Sequence, residues 1–147
     1  MKLVFKTTVA SPFEKVVRNF DVQLLQFLSP TFPIVKIEQY GGNQINDEID
    51  IKLNFILFSW TWVSRITEFF EDEKKWFFVD EGIVLPPFLK FWRHKHEIET
   101  IDNQSCIIDS IEFEAAKNWP DWLVKFLVWF QFSQRSDLYK KYFEKLS

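Results

Sequence analysis

An α+β domain is predicted: a curved antiparallel sheet of six to seven strands around a long C-terminal helix, with two short helices after the first strand. Three observations predict it. Between residues 34 and 114, apolar side chains recur with a period of two in segments separated by turn residues, as antiparallel strands with one packed face require. Over residues 119–145 the spacing becomes helical. Short helical stretches stand only between the first strand and the meander, so helices are segregated rather than alternating with strands.

In chain order, Lys2–Val9 reads as a strand. Ser11-Pro12-Phe13-Glu14 has the form of a capping box, in which Ser11 accepts from the backbone N–H of Glu14 and Glu14 reaches back. Pro12 suits the first helical position, where a missing N–H costs nothing. A helix over residues 12–20 is expected, then a second, capped by Asp21, ending near Leu28 before Ser29-Pro30. Residues 34–40 form a strand that turns at Gly41-Gly42. Ile45, Ile49, Ile51, Leu53 and Phe55 then alternate with polar residues, giving a strand with one wet face. Residues 59–70 and 75–82 form two strands joined by the charged tip Glu71-Asp72-Glu73-Lys74. Pro86-Pro87 fixes the next turn, and residues 89–101 and 105–114 make a last hairpin around Asp102-Asn103. Trp119-Pro120-Asp121 opens a single helix running to Lys145, with Leu123, Phe126, Leu127, Phe130, Leu138 and Tyr142 as its expected core stripe.

A length of 147 residues fits a single domain spanning 1–147. Aromatic residues reach 19%, with 18 Phe and 7 Trp, more than a core of this size needs. Such rings either fill a core or line a pocket for a flat or greasy ligand. A net charge of −3 argues against a nucleic-acid partner held through its phosphates. Lys140, Lys141 and Lys145 are interleaved with Asp137 and Glu144, as on a solvated helix face. The single cysteine, Cys106, excludes an internal disulfide and a cysteine-based zinc site. No signal peptide is visible in residues 1–10. No apolar run reaches the roughly 18 residues of a membrane span. A cytoplasmic protein with no integral membrane segment is the expectation. Nucleophile-elbow, phosphate-loop and dinucleotide motifs are all missing, so no cofactor is expected.

Several stretches resemble a known family. Ala10 to Val16 is similar to a strand-to-helix junction, and Leu28-Ser29-Pro30 to the end of a second helix. Trp60 to Ile66, then Phe78-Val79-Asp80-Glu81 with Pro87-Phe88, are similar to its central strands. Trp92-Arg93-His94-Lys95-His96, the later Asp109, and Phe132 to Arg135 complete the pattern. The family is the SRPBCC superfamily of START domains, birch-pollen-type allergens and polyketide cyclase/dehydrase-like proteins, within it a bacterial ligand-binding group with a Trp-x-His-x-His strand. Pro86 stands where the group has a glycine, and its Gly-Thr of the last turn is missing, which bears on loop shape. The resemblance implies a helix-grip fold and a pocket, but no particular reaction.

Strand alternation gives a testable geometry. A two-residue turn at Asp102-Asn103 sets His96 opposite Asp109, His94 opposite Ile111, Trp92 opposite Phe113 and Ile98 opposite Ile107, all facing inward. Arg93 then faces Glu112 on the outer side as an exposed ion pair, and Cys106 faces Glu99, whose carboxylate disfavours a thiolate. A one-residue slip spoils both faces. A His96–Asp109 pair suits acid–base work. It serves equally as a satisfied buried pair, with His94 bonding a backbone group or a ligand oxygen. Two histidines at i and i+2 can also hold a metal if Asp80 or Asp109 adds a third ligand. That would be unusual for this fold, and no metal is expected. A tight turn at Asp72-Glu73 sets Arg65 opposite Asp80, with a register one residue away equally compatible. Arg135 faces either the pocket, to anchor a carboxylate, or solvent.

The leading expectation is therefore a module, monomeric or homodimeric, that binds a hydrophobic small molecule: lipid-, polyketide- or aromatic-like. Trp62, Phe78, Trp92 and Phe130 would supply rings; Asp80, His94, His96, Asp109 and Arg135 would supply polar anchors. The alternatives are a cofactor-free cyclase or dehydratase using His96 and Asp109, and a protein-interaction domain without a ligand.

Overall fold

The computed structural model describes residues 1–146. Strand β1 (Lys2–Val9) leads through helices α1 (Phe13–Arg18) and α2 (Val22–Leu28) into a meander. The meander comprises β2 (Ile34–Tyr40), β3 (Glu48–Asn54), β4 (Ser59–Glu71), β5 (Lys75–Val84), β6 (Leu89–Ile101) and β7 (Gln104–Ala115). Helices α3 (Asp121–Ser133) and α4 (Arg135–Lys145) follow. The seven strands form one antiparallel sheet in the order β1-β7-β6-β5-β4-β3-β2. Each meander strand pairs with its chain neighbour, and β1 closes on β7. This is the helix-grip α+β architecture. No helix among the described residues is long and apolar enough to cross a membrane.

Local chemistry explains the start of α2 and the turn between β6 and β7. Asp21 Oδ1 accepts from the backbone N–H groups of Gln23 and Leu24 at 3.0 and 3.2 Å, which starts α2 as expected. Between β6 and β7, Ile101 pairs with Gln104, leaving Asp102-Asn103 as a two-residue turn. Asp102 takes a φ of 54°, which a short polar side chain tolerates. The expected register follows: Trp92 faces Phe113, His94 faces Ile111, His96 faces Asp109, and Glu99 faces Cys106.

Four local expectations are corrected or narrowed. Ser11 does not cap α1; it is buried, its hydroxyl donates to the Phe143 carbonyl at 3.4 Å, and its own carbonyl accepts from Ser105 Oγ at 2.8 Å. Pro12 stands at the N-cap without a side-chain bond. Of the two registers left open for Arg65, the one a residue away holds, with Arg65 opposite Glu81: the turn lies one residue later, pairing Glu71 with Trp76, and the bulge between Ile66 and Glu68 takes back part of that shift. The single terminal helix is interrupted at Gln134. Its buried stripe is Val124, Val128 and Phe132 in α3, then Tyr139 and Phe143 in α4. Phe126, Leu127 and Phe130 of the expected stripe are exposed.

The interior divides into two apolar clusters. One gathers Phe13, Val16, Phe20 and Leu24 of the short helices with Trp76, Phe78, Ile98 and Ile107 of the sheet and Tyr139 and Phe143 of α4. The other joins Leu89, Trp92, Ile111 and Phe113 to Val124, Val128 and Phe132 of α3. Along the inner face of β6, Trp92 belongs to the second cluster and Ile98 to the first. His94 and His96 fall between them, so the sheet carries its polar residues where the two apolar masses meet.

Candidate functional site

Between the sheet and the helices lies a cavity of about 640 Å³. Its wall is largely aromatic and aliphatic. Trp60, Trp62, Trp92 and Trp119 line it, with Ile49, Ile51 and Leu53 contributed by β3. Phe55 lines the cavity, while Ile56 and Leu57 next in sequence stand 90% and 92% exposed. Phe130 lines the cavity from α3 and is half exposed. Of the nine ligand-binding residues expected from the sequence, eight lie on this wall: Trp62, Phe78, Asp80, Trp92, His94, His96, Phe130 and Arg135. Asp109 does not; it sits behind His94, with a side chain only 2% exposed. Arg65 is an exposed residue paired with Glu48 at 2.8 Å and takes no part.

The polar cluster is built by three adjacent strands. On β5, β6 and β7 in turn, Asp80 pairs with His94, and His96 with Asp109. Backbone pairing does not dictate side-chain pairing. His94 Nε2 meets Asp109 Oδ1 at 2.7 Å, and His96 Nε2 meets Asp80 Oδ2 at 2.7 Å. The expected His96–Asp109 hydrogen bond is thus corrected, since His96 Nδ1 stays 3.6 Å from Asp109 Oδ1. The cause is reach: each imidazole extends diagonally across the pleat to the carboxylate beside its direct partner. On the outer face Arg93 pairs with Glu81, its direct partner on β5, and with Glu68 on β4, instead of Glu112. The two rings lie 3.6 Å apart between centroids, and Phe78 stacks on His96 at 4.3 Å.

Sequence reasoning missed Tyr139. Its hydroxyl donates to Asp109 Oδ2 at 3.0 Å from deep in α4. The available signal was its i+4 spacing from Arg135, which places both on one helix face. Arg135 lies over the Phe132 ring, 4.2 Å from its centroid, and its Nε is buried without a hydrogen-bond partner. Ser64 on β4 lines the cavity and bonds Asp80. Tyr40 also lines it and donates to Asn43 Oδ1 at 2.6 Å.

Electrostatics assign the charges. Burial would raise the Asp80 carboxyl, but the bond from His96, the charges of both histidines and the Ser64 bond hold it below its ordinary range. Asp109 is likewise held well below that range: burial opposes ionisation, but the bond and charge of His94 and the charge of Arg135 outweigh it. Burial, reinforced by repulsion from His96, pushes His94 down from 6.5 to about 4, so it is neutral at physiological pH. Burial beside the Asp109 charge drives the Tyr139 phenol well above 10, leaving it a hydrogen-bond donor. Cys106, off this face, has its thiol raised by burial. The site therefore presents two carboxylates and a neutral imidazole against an apolar wall.

No family model matches the chain, and no curated protein matches its sequence. Solved structures do match its fold. A START superfamily protein from Mycobacterium smegmatis aligns with a TM-score of 0.71 at 11% identity, over 99% of each chain. Norcoclaurine synthase from Thalictrum flavum, solved with dopamine and hydroxybenzaldehyde, aligns at 0.71 with 12% identity, over 100% of this chain and 88% of its own. The Zhui aromatase/cyclase from Streptomyces sp. R1128 aligns at 0.62 with 15% identity, over 94% and 90%. At these identities the likeness bears out the resemblance in fold.

Proposed function

We propose that this protein binds a hydrophobic or aromatic small molecule in the cavity between sheet and helices, and does so without chemical change. The observation that carries this is the cavity itself: about 640 Å³, walled largely by aromatic and aliphatic side chains, with the buried Asp80 and His94 and the partly buried His96 set together in that wall. Ligand pockets commonly have this size and this division between apolar wall and few placed polar groups. A fully packed interior would have favoured an interaction domain without a ligand. The Asp80, His96 and Arg135 side chains orient a polar end of the ligand, and the indoles enclose its apolar body. Norcoclaurine synthase, of the same fold, was solved with two aromatic molecules, which supports a ligand of that class.

The test is native mass spectrometry of the purified protein, then denaturing extraction of any retained compound. A reproducible organic mass supports the reading. A protein that is empty and also gains no thermal stability from a panel of aromatic and acyl compounds overturns it. With a ligand in hand, His96→Ala is expected to weaken its binding; unchanged affinity removes His96 from the anchor set.

A second reading is a cofactor-free cyclase or dehydratase. It is favoured by one observation: His94 is neutral, lines the cavity, and is oriented by a buried carboxylate. The base would then be His94, with Asp109 as its orienting partner. Asp109→Asn should abolish turnover of a polyketide-like substrate while leaving its binding measurable, and full activity in that variant ends this reading.

A further inference from the structure

We propose that Asp80, His94 and His96 form a binding site for a divalent first-row transition-metal ion with open coordination positions facing the cavity. Two imidazoles and one carboxylate are a donor set that suits zinc, ferrous iron and cobalt; calcium and magnesium take oxygen ligands. One Asp80 oxygen, one His94 nitrogen and one His96 nitrogen lie within 4.8 Å of one another, and all three residues border the cavity.

The tautomers are set for coordination. His94 Nε2 is engaged by Asp109 Oδ1 at 2.7 Å. Asp109 takes the Tyr139 hydroxyl on its other oxygen and accepts from Nε2 on this one, so Nε2 carries the proton and Nδ1 carries the lone pair. This Nδ1 lies 3.9 Å from Asp80 Oδ2, and His96 Nε2 lies 2.7 Å from the same oxygen. Ligand atoms about 2.0–2.2 Å from a common ion stand about 3 Å apart, between the two observed separations. Small rotations of two side chains close the site. Behind it, the carboxylate–histidine contact is the outer-shell arrangement that fixes a ligating imidazole, and Tyr139 anchors Asp109 in turn.

A second observation points to an absent cation. His96 Nδ1 is buried and has no hydrogen-bond partner. That Nδ1 faces Asp109 Oδ1, 3.6 Å away. An ion on Nε2 places the ring's hydrogen on Nδ1, where it faces that oxygen. The arrangement then has a donor opposite every acceptor. The proposal is independent of any apolar ligand, because ion and ligand are read by different measurements.

The chain contains only two histidines, both in this site, so their imidazole signals report on it without a variant. Tag-free protein is stripped with chelator and titrated with zinc while the histidine side chains are followed by nitrogen-detected NMR. Parallel samples are desalted after cobalt(II) or anaerobic ferrous iron and analysed for metal content and visible absorption. The expected result is one retained equivalent, shifts at both imidazoles, and cobalt d–d bands. His96→Ala should lose the ion, and Asp109→Asn, which keeps all three ligands, should weaken it about 10–100-fold. If His96→Ala does not fold, Asp109→Asn carries the comparison. The proposal is overturned if no ion is retained, if an ion is retained while both imidazole signals stay unmoved, or if folded His96→Ala keeps its full equivalent.

Discussion

At the residue scale, the site is governed by how far an imidazole reaches. The backbone pairing of His96 with Asp109 was legible in the sequence, because the inner and outer faces of one hairpin constrain a single register. The hydrogen-bond partners were not. They depend on side-chain torsions, and on Asp80, whose position depended on a β4–β5 turn that lies one residue later than its charged tip suggested. Tyr139 was missed for a related reason: its role needs the helix to be rotated correctly over the sheet. A pH prediction belongs here. His94 has its folded pKa lowered from 6.5 to about 4, so between those values the unfolded chain binds a proton that the folded chain does not. Stability therefore falls as pH drops from about 6.5 to about 4, by at most about 1.4 kcal/mol per unit from this group. Asp80 and Asp109, both held below the ordinary carboxylate range, add to the loss at lower pH, where the unfolded carboxyls protonate first. Melting temperature measured across this range should show the decline. His94→Gln should flatten its upper part, and an unchanged slope there would assign the effect to another group.

At the element scale, the helices show where periodicity informs and where it fails. Helix α2 and its Asp21 cap were readable because capping is local chemistry. The stripe of α3 was not, because Trp122, Phe126, Leu127, Trp129 and Phe130 surround the helix with apolar side chains while Val124, Val128 and Phe132 are the buried ones. A helix that is apolar on several faces offers no unique stripe. The buried face is chosen by contact with the sheet: Phe132 meets Phe5, Trp92 and His94 at ring distances of 6.2, 5.9 and 5.2 Å. Two substitutions of the same type test this rotation. Phe132→Ala should cost about 3–5 kcal/mol in denaturant unfolding, whereas Phe126→Ala should stay within about 0.5 kcal/mol. Equal costs would place the helix in the orientation the sequence alone suggested. Of the exposed rings of α3, Phe130 lines the cavity, while Trp122, Phe126 and Trp129 stand outside both the cavity and the core.

At the scale of the whole molecule, the aromatic excess resolves into two uses. Phe13, Trp76 and Phe113 pack the two clusters, while Trp60, Trp62 and Trp119 surround space. Composition alone left these uses even, since rings that fill and rings that line are the same residues; only closure of the sheet against the helices separates them. The fold was legible at this scale because strand order, two short helices and a terminal helix are set by period and length. The cavity was not, because it is the volume left over when irregular surfaces meet. Its existence makes a prediction that a packed interior would not. In close-packed protein, enlarging a core side chain costs about 1–3 kcal/mol, and Ile111→Trp, at a fully buried position, should show that cost. Leu53 lies on the cavity wall and is half-buried. Leu53→Trp should therefore lose less than about 1 kcal/mol, since the indole enters open volume. The same variant should retain about tenfold less of any cavity ligand by extraction, equivalent to about 1.4 kcal/mol of binding. If Leu53→Trp destabilises as much as Ile111→Trp, the space is not open to a side chain and so not to a ligand. If it is tolerated and ligand retention is undiminished, the ligand lies away from β3, toward the histidine cluster and α4.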